Sequence, residues 1–500
     1  MRFLRGISRS AGLAALAMTS VFALAVSLCQ GQIPKPAPKK LSLPGGRPFP
    51  ASQADLLSMR DRADKQAVKK MRAHAWDLFA GLTRGKDPIW NSWYTKCDLG
   101  LLGCNDIPAA VPGSANQLLD SFEVPVQFLE QFLNTAVLQP QGQSIQAFDA
   151  EGKSRLRKFL EDQGVHPQFA AVLFNQDAEV HIIKDCLHQL PAKIGNVTFD
   201  PCIPKLETPG KIEDFGPGSV LLKTTWEYVP NEGGPLFTYD SCVWKSISDA
   251  NCRQTYAPSF EVGKDSEKVQ CRPRGNRVPL SCFYYIRLSR PEADWANRYF
   301  TRAVLATGSS VTVKEGDYLV LMGVHLTTKE TPDWVWATFW WDAHAASDPK
   351  AAGRPPSIRG KWRNFLMDTT LSANTPIETD KGPKICFNPY LELQLPHDGN
   401  ISNCLQCHSK AAYVPAPGKA DTANPYNEGI LARDGRKLAS GGYPDSCYFG
   451  GRVSTDFLWT VAKALDPQSQ EHMFRLGVAI KELQEEQRLN RIEKPPAEPK

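Results

Sequence analysis

Cys404, Leu405, Gln406, Cys407 and His408 make a C-x-x-C-H pentapeptide, the pattern in this chain with the most defined chemistry. Two thiols three residues apart reach the two vinyl groups of one haem and form thioethers, and the histidine that follows supplies the proximal imidazole to the iron. The same residues suit two other roles. A dithiol redox pair opens a helix inside a β-α-β unit, a pattern missing around residues 404–408. A zinc site takes two more ligands at close spacing, and none follows. The residues therefore point to one covalent haem c on Cys404 and Cys407, with His408 as its metal ligand.

The sixth iron position is open in the sequence. Met473 is the single methionine downstream of the motif and the first choice, because a thioether raises the reduction potential and suits electron transfer. Met473, Leu476, Ile480 and Leu483 also share one helical face, as core residues do. His325, His397 and His472 are rival ligands, and a vacant position is a further alternative. His325 sits in an apolar run, with Trp334, Trp336 and Trp340 on the next segment. A core histidine among aromatics accounts for it more simply than a ligand pocket. Lys329, Glu330 and Asp333 between those two segments read as solvated turn residues.

The stretch 403–412 resembles the haem-binding segment of the cytochrome c family. In small members of that family the motif opens a compact helical domain, whereas here it lies about four-fifths of the way along the chain. Trp76-Asp-Leu-Phe79, Pro88-Ile-Trp90, Gly323-Val-His325 and Trp334-Val-Trp336 are similar to segments of secreted bacterial proteins that place a β-rich domain before a single C-x-x-C-H. That resemblance implies an architecture and brings no substrate with it.

Covalent haem attachment belongs outside the bacterial cytoplasm, and the first residues fit export. Arg2, Arg5 and Arg9 precede an apolar, small-residue stretch over 11–29, the pattern of a cleavable signal over 1–31. An uncleaved membrane anchor is the alternative. The expected location is periplasmic or secreted, with no integral membrane domain in the mature chain. Thirteen cysteines agree: setting aside Cys29 and the motif pair leaves ten, an even number that reads as a disulfide framework in an oxidising compartment.

The 500 residues suffice for two or three domains, and 42% hydrophobic with 22% charged residues is an ordinary globular composition. The net charge of +5 falls to +2 once the three leader arginines are set aside, which excludes a nucleic-acid partner on electrostatic grounds. No G-x-S-x-G elbow, H-E-x-x-H helix or phosphate loop is present.

The elements that must position the motif read as α+β. A Pro-rich linker over 32–50 precedes a mostly helical region over 51–216, with helices predicted at 52–82, 117–134 and 153–162. A β-rich domain covers 217–345, with strands from about 217, at 281–288 and 311–313, and a hairpin of 318–326 with 334–341. A loop-rich, cytochrome-c-like haem segment covers 346–493 and closes with helices at 454–465 and 467–491. The tail 494–500 is too charged and Pro-rich to order. Three functions remain open: electron transfer with a redox partner protein, a peroxidase- or oxygenase-like haem enzyme acting on a small molecule, and a haem-based sensor or binding module.

The close spacing of the first eight predicts four local bridges, Cys97–Cys104, Cys186–Cys202, Cys242–Cys252 and Cys271–Cys282, and the remaining two would pair as Cys386–Cys447, a clamp on the loop-rich segment. Each is worth about 2–4 kcal/mol through the entropy it removes from the unfolded chain. Non-reducing peptide mapping is expected to recover these pairs. A bridge from the β-rich domain to Cys386 or Cys447 would overturn the scheme.

Overall fold

A computed structural model describes residues 37–60, 64–101, 168–208, 210–240, 255–263, 271, 276–294, 296–297, 312–371, 386, 388–391, 404–415, 449 and 451–466. Helices and antiparallel sheets both occur, an α+β fold. The helices used below are α1 (Gln53–Arg60), α2 (Lys65–Leu82), α3 (Gln176–Lys184), α4 (Cys404–His408) and α5 (Trp459–Leu465). The strands are β1 (Tyr94–Thr95), β2 (Gln168–Phe174), β3 (Leu206–Thr208), β4 (Lys211–Ile212), β5 (Val220–Val229), β6 (Tyr285–Arg287), β7 (Tyr318–Thr328), β8 (Val335–Trp341), β9 (Phe365–Thr370), β10 (Ala412–Tyr413) and β11 (Val453–Ser454).

One seven-stranded antiparallel sheet organises the chain, in the order β1-β2-β5-β7-β8-β9, with β6 beside the first part of β7. Its strands come from before residue 217 and after residue 345 as well as from between them. The hairpin of β7 and β8 forms as its two apolar runs predict, pairing His325 with Thr338 and Thr327 with Trp336. All seven residues of β8 are buried, and nine of the eleven in β7. Such unbroken apolar runs need a cover on both faces.

The first cover is α2. Asp64 caps it by accepting the Ala67 N–H at 2.7 Å, so the helical run predicted over 52–82 forms as two helices with the cap between them. Met71, Ala75, Leu78, Phe79 and Leu82 recur at helical spacing and are buried. Phe79 stacks on Phe339 of β8 with centroids 4.2 Å apart, and Trp76 leans on the same ring at 5.6 Å.

The register slips once, between Leu321 and Gly323 of β7. A side chain at Gly323 would come within 3.2 Å of both polar atoms of Asn388 and of Leu391. Asn388 uses that space to donate to Thr338 Oγ1 at 2.8 Å and to the Phe339 carbonyl at 2.9 Å. The segment 388–391 is thereby fixed across the hairpin.

Three expectations need correction. Residues 312–314 are irregular, because the Asn297 side chain takes both the N–H and the carbonyl of Val313, at 2.8 Å each, in place of a strand partner. The predicted strand at 281–288 is a 3-10 turn over Leu280–Cys282 followed by the three residues of β6. Lys329 and Glu330 are buried, at 6% and 2% exposure, since the hairpin turn lies under two other segments. Glu330 receives the Ala51 N–H at 2.7 Å and Thr328 Oγ1 at 2.6 Å, and pairs with His74 Nε2 at 2.9 Å.

Two predicted disulfides are present, Cys186–Cys202 and Cys271–Cys282, and Cys97 is disulfide-bonded. They are the chemistry of an oxidising compartment. Cys104, Cys242, Cys252 and Cys447 lie outside the described residues, as do the leader 1–31 and the helices predicted at 117–134, 153–162 and 467–491. Among the described residues no helix is long and apolar enough to cross a membrane.

Glu330 predicts a pH signature. Burial alone would raise its carboxyl, but the His74 contact and the Thr328 and Ala51 donors hold it below the ordinary glutamate value of 4.5. Its stabilisation is therefore present above pH 4.5 and is lost as pH falls through the lowered value. Glu330→Gln is expected to destabilise by about 1–3 kcal/mol at pH 7, with the gap to wild type closing in acid. Urea unfolding at several pH values measures this.

Candidate functional site

The C-x-x-C-H residues form the short helix α4. One helical turn brings Cys404 and Cys407 to neighbouring positions, and His408 stands over Cys404 at i and i+4. Cys404 is half-buried and its thiol is free of any disulfide. Leu405, fully buried, anchors the helix in a second apolar cluster with Phe174, Leu221, Trp336, Leu458 and Val461.

This cluster covers the sheet on the side away from α2. The register puts Lys223, His325 and Thr338 abreast on β5, β7 and β8, with Trp336 two residues further along the same face. The His408 ring lies against Trp336 with centroids 4.2 Å apart. His325 interacts electrostatically with His408, and Lys223 with both imidazoles. The hairpin thus places His325 beside Trp336, as the alternation predicts, and α4 brings His408 to the same face. Trp340 shares that face, whereas Trp334 precedes the strand with φ +62°.

His408 Nδ1 lies 2.8 Å from the Phe457 carbonyl oxygen. A carbonyl only accepts, so Nδ1 carries the proton and donates it. Burial pushes the imidazole down to about 4, with Lys223 acting in the same direction, so the ring is neutral at pH 7 and its lone pair sits on Nε2. A ligating histidine is oriented in this way, by a hydrogen bond from its other nitrogen. Burial also holds His325 well below the usual histidine value.

The acceptor belongs to a turn whose neighbours in sequence resemble a helix start. Ser454-Thr455-Asp456 reads as a helix N-terminus, yet Val453–Ser454 is the strand β11 and α5 begins only at Trp459. Thr455 accepts the Leu458 N–H at 3.0 Å, while the two central residues, Asp456 and Phe457, have φ +49° and +69°. Positive φ at both central positions is the type I′ pattern. Glycine, asparagine and aspartate are usual there, so Asp456 suits its position, whereas a residue such as Phe457 costs about 1–3 kcal/mol.

Asp456 is fixed from two sides. Its Oδ2 accepts the Phe215 N–H at 3.0 Å, and its Oδ1 meets Lys329 Nζ at 2.5 Å. Lys329 also donates to the Pro332 carbonyl at 2.8 Å and lies 5.3 Å from the centre of the Trp334 ring. Burial pushes the Asp456 carboxyl up to about 7, with Lys329 pulling against it. Asp214, 3.8 Å from Lys329 and 3.0 Å from Lys211, is held below the usual aspartate value by those two lysines against its own partial burial.

The donors fit a haem c: a free thiol at Cys404, a neutral imidazole with Nε2 available, and thiol positions on one helical turn. Of the side chain of Cys407 the structure says nothing. Among the described residues no three His, Cys, Asp or Glu groups converge to hold a metal ion by themselves. Met473, His397 and His472 lie outside the described residues. The chain matches no protein-family profile, no curated protein and no solved structure. The reading of the site therefore rests on its own geometry.

The buried pair makes a stability prediction. Lys329→Ala leaves Asp456 buried without its cation, a change expected to cost about 3–5 kcal/mol. Chemical denaturation of the full chain provides the measurement.

Proposed function

We propose that this is an exported, periplasmic-type protein of the cytochrome c kind, carrying one haem c attached to Cys404 and Cys407 with His408 as the proximal ligand. The observation that carries the reading is the donation from His408 Nδ1 to the Phe457 carbonyl at 2.8 Å. It leaves Nε2 as the ligating atom in the one segment where two cysteine positions and a histidine share a helical turn. When bound, the haem supplies a one-electron iron couple.

This chain's residues would do the rest. The two thioethers tether the macrocycle to α4. Trp336 packs on the proximal ring, and the covered sheet face withholds water, which lowers the local dielectric and favours the less charged redox state. The function we favour is electron transfer to a protein partner. A haem enzyme with an open sixth position, or a haem-based sensor, is the alternative reading of the same site.

For the sixth position His325 is a candidate alongside Met473, and the one that the described residues place near the motif. Its imidazole is half-buried on the sheet face that α4 covers, close enough to His408 for the two rings to influence each other electrostatically.

Two measurements test these assignments on periplasmically expressed protein. A pyridine haemochrome spectrum and an intact mass are expected to show one covalent haem per chain, and Cys404→Ala or Cys407→Ala should sharply reduce attachment. Complete loss of colour on acid–acetone extraction of the wild type would refute the covalent haem. With His325 as sixth ligand, the wild-type ferric protein should bind cyanide slowly and His325→Ala rapidly. Rapid cyanide binding by the wild type would instead favour the enzyme or sensor. A far-red methionine–iron band lost in Met473→Ala would restore Met473.

A further inference from the structure

We infer that Lys329 and Asp456 are positioning residues for the proximal histidine: a buried clamp that holds the Phe457 carbonyl on His408 Nδ1 and thereby sets the electron donation of that imidazole. The inference rests on the haem reading above. It concerns residues outside the motif.

The geometry runs through three contacts and one turn. Lys329 Nζ meets Asp456 Oδ1 at 2.5 Å, and the Phe215 N–H meets Oδ2 at 3.0 Å. Asp456 and Phe457 are consecutive residues in the left-handed region, with φ +49° and +69°. The Phe457 carbonyl then receives His408 Nδ1–H at 2.8 Å. A free turn with phenylalanine at its second central position would relax away from this conformation. Asp456 has little freedom to do so, because its side chain is 2% exposed and both carboxylate oxygens are engaged. Lys329 is held in turn by the Pro332 carbonyl and by the Trp334 ring. The clamp thus links the tip of the β7–β8 hairpin, which carries His325 and Trp336, to the acceptor of the proximal ligand.

The chemical consequence has a definite sign. A strong Nδ1–H···O=C hydrogen bond makes the imidazole more basic at Nε2, which stabilises ferric over ferrous iron and lowers the reduction potential. Loosening the Phe457 carbonyl weakens that bond and raises the potential. A residue that served stability alone would change the unfolding midpoint and leave the potential of the folded protein where it was.

The test compares wild type with Lys329→Met/Asp456→Asn, which removes both charges together and so strands neither. Asparagine tolerates the left-handed region and can still accept from Phe215 N–H. Haem content is measured first by pyridine haemochrome, then the reduction potential, and, with His325→Ala present in both proteins so that the ferrous iron is five-coordinate, the iron–histidine stretch in the resonance Raman spectrum. The expected result is unchanged haem content, a higher potential and a lower stretching frequency. Unchanged potential and frequency in the folded, haem-loaded variant would overturn the clamp while leaving the haem reading intact. A wild type without covalent haem would overturn the haem reading itself, and the clamp with it. Should the double variant not fold, Asp456→Asn alone is read in the same way on the same two observables.

Discussion

The sheet is wet on neither side of its central hairpin, and most of what surrounds it follows from that. Every residue of β8 is buried, so both faces of the strand must be covered by apolar groups. On one side α2 supplies Trp76 and Phe79 against Phe339. On the other side the cover includes α4, β10 and α5, which between them contribute Leu405, Tyr413, Val461 and Leu465. The C-x-x-C-H segment is therefore part of a core. Its histidine rests on a sheet tryptophan, and its helix is held by Leu405.

Burying that second face brought charged groups inside. Lys329 and Asp456 gain little from meeting each other once their dehydration is counted, and apolar residues in their place could be equally stable. What the pair provides is direction. An apolar contact at Asp456 would fill the space equally well but would leave the following peptide free to turn its carbonyl elsewhere. The same holds for Glu330, where three donors converge on one carboxylate and fix the first turn of the hairpin against residues 51 and 74.

The parts of the fold legible in the sequence are those with a period. Met71, Ala75, Leu78 and Phe79 announce α2, and the apolar runs on either side of Thr331-Pro332 announce the hairpin. The motif announces itself by residue type. What could not be read is whatever depends on a distant partner. Val313 looks like a strand residue, yet its backbone is taken by Asn297. Lys329 looks solvated because nothing near it in sequence reports that residue 456 will lie above it. The turn at Asp456-Phe457 has phenylalanine where glycine normally marks such a conformation, and Ser454-Thr455-Asp456 mimics a helix cap. His408 is marked out by the motif as a candidate ligand, whereas its acceptor forty-nine residues later carries no mark in the sequence.

The register of the sheet also governs time. Tyr94 pairs with Phe174, and Val229 with Tyr318, so each of these ladders closes a long loop before it gains its first hydrogen bond. Folding rates fall as contacts become less local, and a sheet of this kind assembles over milliseconds to seconds. α4 has nothing to pack on until the β7–β8 hairpin and β5 have joined. During that interval the Cys404 and Cys407 thiols lie on a chain that is still open. On the haem reading proposed above, slow assembly of distant strands would leave those thiols open to covalent loading until the second face of the sheet is sealed.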